Sequence, residues 1–485
     1  MNFKTISRNV GYALLVDALF MFIAMLIALF GGPDTSFAPL AISFLITSIT
    51  GVFPFIFVRK TPAISLREGY VIIVLSWLLS FLFGMMPYVL WGGPFSVINA
   101  WFESVSGFTT TGATILEDVA ALPKGLLFWR SSTHFIGGLG VVVFLLLIIP
   151  TSSPMRLRLT NMELSSLSKD SYSSRANKTV SIFTTVYLTL NAAAFICYLL
   201  AGMNVFDAVC HAFSVCANGG FSTKSMSIGT FNSLPITLIT MAFMYLASLH
   251  FGMLFMVVAR RSLNPLKNEV YRFFTYGLIL ASLAVAFSLK IGNAAQTWGQ
   301  ALLDGSFHVF SYASSTGFAI SDNSQWPQFA ALLLVLMCFS CGMAGSTTGG
   351  LKSDRMLLVF KNIRQQVHHA IYPSSIREIR MNRKPLAESD VAPHIMYFTV
   401  FFIILAVSIF FCQLFSTGEN INSVTGSIAS LCNIGPSVGS IGSMGNYNAE
   451  PSACKFIFSL DMFLGRVEIY PVLSVISIIF SRRHR

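Results

Sequence analysis

At 485 residues, with 54% hydrophobic and 11% charged side chains and a mean hydropathy of +0.70, the chain is far too apolar for an ordinary water-soluble domain. A formal charge of +11 would suit a nucleic-acid binder only if the basic residues formed one solvated patch; they alternate instead with long apolar runs, which excludes that class. The eight cysteines show neither disulfide nor zinc spacing, and the one CxxC, Cys338 with Cys341, falls inside an apolar run where helix packing outweighs redox chemistry.

Runs long enough to span a bilayer, at roughly 20 residues each, occupy 11–31, 38–58, 69–92, 126–150, 180–201, 234–259, 273–291, 329–351, 393–415 and 456–480. The expected fold class is thus an all-α polytopic membrane protein with ten spans. Lys4 and Arg8 precede the first run, but that run exceeds a signal-peptide core and lacks a small-residue cleavage pattern, so it is expected to be retained as a helix. Alternate connections collect most of the 31 Lys and Arg, which the positive-inside rule assigns to the cytoplasm together with both termini. The opposite loops are acidic in balance, with Glu103, Glu117, Asp207, Asp304 and Asp322 among them. Two readings stay open: a mouth that concentrates cations, or ordinary topology bias.

A short polar stretch recurs inside this apolar chain. "FTTTGAT" (Gly112), "CANGGFST" (Gly220), "SSTGFAISD" (Gly317) and "CNIGPSV" (Gly435) stand in sequence, roughly a hundred residues apart, as a duplicated unit would place them. Thirteen residues before each glycine stand Asn99, Asp207, Asp304 and Asn422, predicted helix N-caps. Seven before are apolar Val105, Phe213, Phe310 and Ile428, and six before are small Ser106, Ser214, Ser311 and Ala429. About twelve residues from cap to glycine make roughly 18 Å of helix, half a bilayer.

Each unit therefore reads as spanning helix, half-helix, polar loop and second spanning helix. Backbone loops at membrane depth persist only where protein buries them or they line a watery cavity, so four can share one cavity on a pseudo-fourfold axis. The predicted divisions are 1–66, two extra N-terminal transmembrane helices, then four repeats at 67–155, 156–268, 269–384 and 385–485.

Neutral carbonyl dipoles desolvate a monovalent cation more reversibly than full charges do, glycine frees the backbone to present them, and half-helix C-termini directed inward favour positive charge. The candidate cation ligands, through backbone carbonyls, are Thr110, Thr111 and Gly112; Asn218, Gly219 and Gly220; Ser315, Thr316 and Gly317; and Asn433, Ile434 and Gly435. His211 and His308, nine residues before their glycines, are expected to pack helices rather than bind metal.

These four motifs, each followed by a spanning helix, resemble those of the Trk/Ktr/HKT superfamily of potassium transporters, and the two extra N-terminal spans resemble its bacterial TrkH branch. The resemblance runs the length of the chain. It implies four M1-P-M2 (potassium-channel-like) units in a single-chain pseudo-tetramer, uptake of potassium ion across a bacterial cell inner membrane, and a homodimer of such pores. Glycine at all four filter positions matches the potassium-selective members. The loops lack the five-residue TVGYG run of true potassium channels, and the continuations Ala113, Phe221, Phe318 and Pro436 differ, so weaker discrimination against sodium is expected.

In the eighth span, "CFSCGMAGSTTGGLKSDRM", the glycines at 342, 345, 349 and 350 will not hold a straight helix in lipid. A nucleotide P-loop would need GxxxxGK[ST], but Leu351 stands where the lysine belongs; no nucleotide site is expected in this chain. The resemblance makes the segment an intramembrane loop that obstructs permeation, with Gly342, Gly345, Gly349 and Gly350 as hinges and Lys352 at its cytoplasmic edge.

Asp461, Arg466 and Glu468 lie in the last apolar run, where ionisable groups face a pore or a partner. Arg466 resembles the family's basic residue near the constriction; an ion pair with Glu468 or another carboxylate is the alternative. Asp17 stands alone in the first span without an assigned role. The largest cytoplasmic connection, 352–392, is basic, which suits anionic membrane lipids, while the resemblance implies a docked cytosolic RCK-type nucleotide-binding subunit (TrkA-like) that opens the gate. No paired carboxylates or Ser/His/Asp set points to an enzyme. The rival to a gated pore is a secondary transporter coupling potassium to proton or sodium movement through Asp17, Asp461 and Arg466.

Overall fold

A computed structural model of the chain describes residues 1–32, 34–59, 64–148, 176–375, 378–416 and 420–481. The end of the expected fourth span and most of the basic connection after it lie outside the described residues. In chain order the helices are α1 (Phe3–Phe30), α2 (Phe37–Phe57), α3 (Leu66–Gly84), α4 (Met86–Trp91), α5 (Val97–Phe108), α6 (Lys124–Ile148), α7 (Ala176–Leu200), α8 (Val205–Cys216), α9 (Leu234–Ser248), α10 (Phe251–Ala259), α11 (Glu269–Ile291), α12 (Trp298–Ala313), α13 (Gln328–Cys338), α14 (Ser353–Ile371), α15 (Glu388–Phe415), α16 (Asn420–Leu431), α17 (Ser452–Val467) and α18 (Ile469–Ser481). A two-stranded hairpin, β1 (Arg380–Met381) and β2 (Lys384–Pro385), lies in the connection after α14.

Among the described residues, six long helices are apolar enough to cross a membrane, or eight spans if each of two bent pairs counts as one, making this a multi-pass membrane protein. They account for eight of the ten expected spans; α6 and α13 occupy the other two positions. Two spans expected to be straight are not: α9 and α10 meet at 107°, and α17 and α18 at 106°. At the second bend Glu468 takes a left-handed backbone, φ 66°, which an ordinary helix cannot continue through.

The first helix begins at Phe3, with Asn2 Oδ1 accepting from Lys4 N at 3.1 Å. Ser65 and Glu68 form a reciprocal capping box at the start of α3, and Glu68 also accepts from Asn2 N at 2.6 Å, pinning the two helix starts together. The helix α1 packs on α2, α3 and α6. Asp17 is fully buried there, with its Oδ2 accepting from Ser80 Oγ on α3 at 2.6 Å.

The predicted N-caps are corrected by three residues or more. Ser96, Asn204 and Thr297 cap α5, α8 and α12, each side chain accepting from the backbone three residues on. Asn99 and Asp207 are the residues whose amides are capped. A short oxygen at the true boundary reaches the third amide, so Asn99 and Asp207 supply the amides that the cap satisfies. Asp304 lies well inside α12, which starts earlier and runs 16 residues against 12 for α5 and α8. Asn422 lies inside α16, where its Nδ2 donates to Ser440 Oγ and Glu450 Oε1 at 2.7 and 2.9 Å.

Candidate cation pathway

The short helices α5, α8, α12 and α16 end in the same backbone motif. Ser106, Ser214, Ser311 and Ala429 carbonyls accept from the amides of Thr111, Gly219, Thr316 and Ile434 at 2.9, 2.9, 2.9 and 2.8 Å. One residue earlier, Thr110, Asn218, Ser315 and Asn433 sit at φ 52°, 54°, 54° and 55°, and their amides return to Gly107, Val215, Tyr312 and Ser430 carbonyls. This is a Schellman ending with Thr, Asn or Ser in the left-handed position where glycine is common. The sequence put these four among the candidate ligands, but gave the conformational role to the glycine two residues later and did not foresee their left-handed backbone.

Gly112, Gly220 and Gly317 also take positive φ, 81°, 75° and 82°; Gly435, followed by Pro436, is not among them. What fixes all four as glycine is proximity. A Cβ on Gly112 would lie 2.0 Å from Gly219 O, on Gly220 2.0 Å from Thr316 O, on Gly317 2.6 Å from Pro436 Cδ, and on Gly435 2.6 Å from the Gly112 carbonyl carbon. Each loop abuts the next in chain order and the fourth returns to the first, so the four close a ring. Side chains tie it laterally: Thr316 Oγ1 donates to Asn218 Oδ1 and Asn433 Nδ2 to Thr111 Oγ1, both at 3.1 Å.

The position nine before each glycine ties the helix to the chain leaving the loop. Glu103 accepts from Thr114 Oγ1 at 2.9 Å and Ile115 N at 3.1 Å. His211 bonds Asp207 O at 2.8 Å and Ser222 Oγ at 2.9 Å, and His308 bonds Asp304 O at 2.9 Å and Ser321 O at 3.1 Å. Both histidines thus join the short helix to the chain that leaves its loop. Gly426 fills the fourth position.

Where the eighth span was expected, α13 ends at Cys338 and an irregular segment runs to Lys352. It lies against three quarters of the ring's support, and Arg466 links it to the first. Thr347 Oγ1 donates to Cys216 O at 2.9 Å and accepts from Asn218 Nδ2 at 3.0 Å. Gly349 N donates to Ser315 Oγ at 3.0 Å, and a Cβ on Gly349 would meet Asn433 at 2.5 Å. Arg466, on α17, donates to Thr347 O at 2.6 Å and to Gly137 O of α6 at 3.0 Å.

Of the four expected hinges, Gly345 (φ 79°) and Gly350 (φ 61°) have left-handed backbones. Gly342 and Gly349 are fixed by crowding instead, Gly342 lying with its would-be Cβ 2.6 Å from Ser248 O. Lys352 Nζ donates back to Thr348 O. Glu468 pairs with Arg355, whose Nη2 lies 2.9 Å from both carboxylate oxygens and whose guanidinium carbon sits 3.8 Å over the Tyr397 ring. Asp461 accepts from Ser408 Oγ. Cys341 Sγ donates to Cys338 O at 3.0 Å and both thiols are free, so the CxxC is a packing feature.

The TrkH family profile, described as a cation transport protein, matches residues 37–483. The Trk system potassium uptake protein TrkG of Escherichia coli K12 is 32% identical, with 99% of both chains covered, and TrkH of Halomonas elongata is 32% identical over the whole of both. The crystal structure of the potassium transporter TrkH from Vibrio parahaemolyticus superposes with a TM-score of 0.88 at 28% identity, covering 98% of each chain.

Proposed function

The chain belongs to the TrkH family of cation transport proteins, and on that premise we propose that it takes potassium into the cell through a single-chain pore. Its relatives are ion transporters rather than enzymes. In this reading residues 1–66 supply two peripheral helices, and 67–155, 156–268, 269–384 and 385–485 are M1-P-M2 repeats around a pseudo-fourfold axis. The observation that carries it is the closed ring of four loops, each glycine pressed on the backbone of the next.

Carbonyls of Thr110, Thr111 and Gly112, Asn218, Gly219 and Gly220, Ser315, Thr316 and Gly317, and Asn433, Ile434 and Gly435 replace the ion's hydration shell in turn. The C-terminal ends of α5, α8, α12 and α16 add partial negative charge beside it. The segment 339–352 is the gate in its closed position, and Arg466 holds it there while placing positive charge against a resting cation. A homodimer, a cytosolic RCK-type nucleotide-binding subunit acting through the basic connection, and a bacterial inner membrane with both termini cytoplasmic complete the proposal.

Coupled transport is a second reading, favoured by two carboxylates buried at membrane depth, Asp17 and Asp461, each bonded to a serine hydroxyl. Potassium flux into proteoliposomes without a sodium or proton gradient separates the two. Downhill flux is expected, and flux that requires such a gradient refutes the pore.

A further inference from the structure

We infer that Arg130 is a positioning residue for ion discrimination, strapping the first loop of the ring to the second; this rests on the reading of the loops as a filter. Arg130 stands on α6 and is 1% exposed. Its Nε and Nη2 both lie 2.7 Å from Glu103 Oε1, and Nη2 also donates to Thr114 Oγ1 at 3.3 Å. Thr114 and Ile115, both bound to Glu103, are the residues leaving the first loop. On its other side Nη1 donates to Ser222 O at 3.2 Å, and the guanidinium carbon sits 3.8 Å over the Phe221 ring. Phe221 and Ser222 are the residues leaving the second loop.

The strap continues inward. Phe221 stacks on His134 at 4.2 Å, and His134, whose Nδ1 meets Ser214 Oγ at 3.2 Å, lies so close to the filter that a Cβ on Gly219 would fall 2.5 Å from that nitrogen. Gly219 is the residue whose carbonyl touches Gly112. A shift of the guanidinium therefore reaches the contact between the first and second quarters of the ring through two stacked rings.

Where the chain leaves the loops, the other joints have no ion pair among the described residues, although Lys455 Nζ of the fourth repeat donates to Asn99 Oδ1 of the first at 2.9 Å. Gly229 N donates to Ala319 O at 3.1 Å, Tyr312 Oη to Ser437 O at 2.9 Å, and Tyr447 N to Thr114 O at 2.8 Å. A buried ion pair contributes little net stability after desolvation, so its presence at one joint of four points to fixing geometry. Only a planar fork with several fixed donors spans carboxylate, hydroxyl and carbonyl together. Lysine keeps the charge and cannot make that bridge.

The test is the potassium-to-sodium permeability ratio of the full-length protein, from reversal potentials in liposomes, with Gly112→Ser measured beside Arg130→Lys. Arg130→Lys is expected to lower the ratio about fivefold, the worth of roughly one hydrogen bond of positional bias, while potassium current persists. If Arg130→Lys does not reach the membrane folded, Thr114→Val removes the hydroxyl shared by Glu103 and Arg130, retains both charges, and takes its place. A lowered ratio in Gly112→Ser with an unchanged ratio in the folded strap variant overturns the inference and leaves the filter reading intact. An unchanged ratio in Gly112→Ser overturns the filter reading and the inference with it.

Discussion

Replacing the ring glycines one at a time by serine should damage selectivity in a definite order, because the space each new Cβ would need differs. Ordinary contact for a Cβ begins at 3.4 Å, and the built positions on Gly112 and Gly220 lie 2.0 Å from a neighbouring carbonyl oxygen against 2.6 Å from Pro436 Cδ for Gly317. The neighbour must therefore retreat by about 1.4 Å in the first two cases and about 0.8 Å in the third, on van der Waals grounds. In the first two the retreating atom is itself a candidate ion ligand; in the third it is a proline ring. Left-handed backbone adds a cost of about 1–2 kcal/mol for any L side chain at each of the three, and a bias of that size corresponds to a factor of roughly 5–30 in an equilibrium. Gly317→Ser should thus lower the potassium-to-sodium permeability ratio by about that factor, and Gly112→Ser and Gly220→Ser by more. Bi-ionic reversal potentials in proteoliposomes read this directly, with detergent size-exclusion profiles confirming that each variant folds. Equal ratios in wild type and Gly317→Ser, or a larger loss in Gly317→Ser than in the other two, would refute the reasoning.

Arg466→Ala removes one charge-assisted bond to the segment, at Thr347 O, and one to Gly137 O of α6, each worth about 1.5–3 kcal/mol; resting potassium flux should rise severalfold at unchanged selectivity, and lower flux in folded protein contradicts the gate assignment. Glu468→Gln strands the buried Arg355 guanidinium and should cost about 3–5 kcal/mol, read as a fall in the detergent-solubilised melting temperature. Asp461→Asn can still accept from Ser408, so flux should persist with no change in its response to a proton gradient; a response lost in this variant favours coupled transport. Tyr447→Phe, which loses the bond to Gly435 O at 3.1 Å, should cost only about 0.5–1.5 kcal/mol.

Much of this was legible because the relevant signals are local. Bilayer-length apolar runs, recurring glycines and the glycine-rich break after α13 each report a property of the stretch that carries it. The bend at Leu249–His250 was not legible, having no proline beside it, whereas at Glu468 the signal was Pro471, which cannot donate to the Val467 carbonyl; what the sequence did not show is the pairing of Glu468 with Arg355, 113 residues away. The cap column misled because polar residues such as Asn99 and Asp207 also stand in the first turn, three residues after the true caps Ser96 and Asn204, and spacing alone does not say which end of the bond each supplies. The first and second loops share Arg130 through contacts from α5, α6 and the chain after Gly220, none of them close in sequence. The one available hint was the column nine before the glycines, where Glu103 stands beside two histidines.

The segment 339–352 belongs to a single stretch of the chain, yet it bonds to Cys216 and Ser315 beside the second and third loops and, through Arg466, is tied to α6 beside the first. Where four identical subunits each contribute a blocking element, the chance of conduction is compounded from four separate events and partial levels can be populated. With this segment as the gate, as proposed, the stoichiometry is one: a recording from one chain should switch between two levels, and its open probability should respond to a regulator with the steepness of one transition.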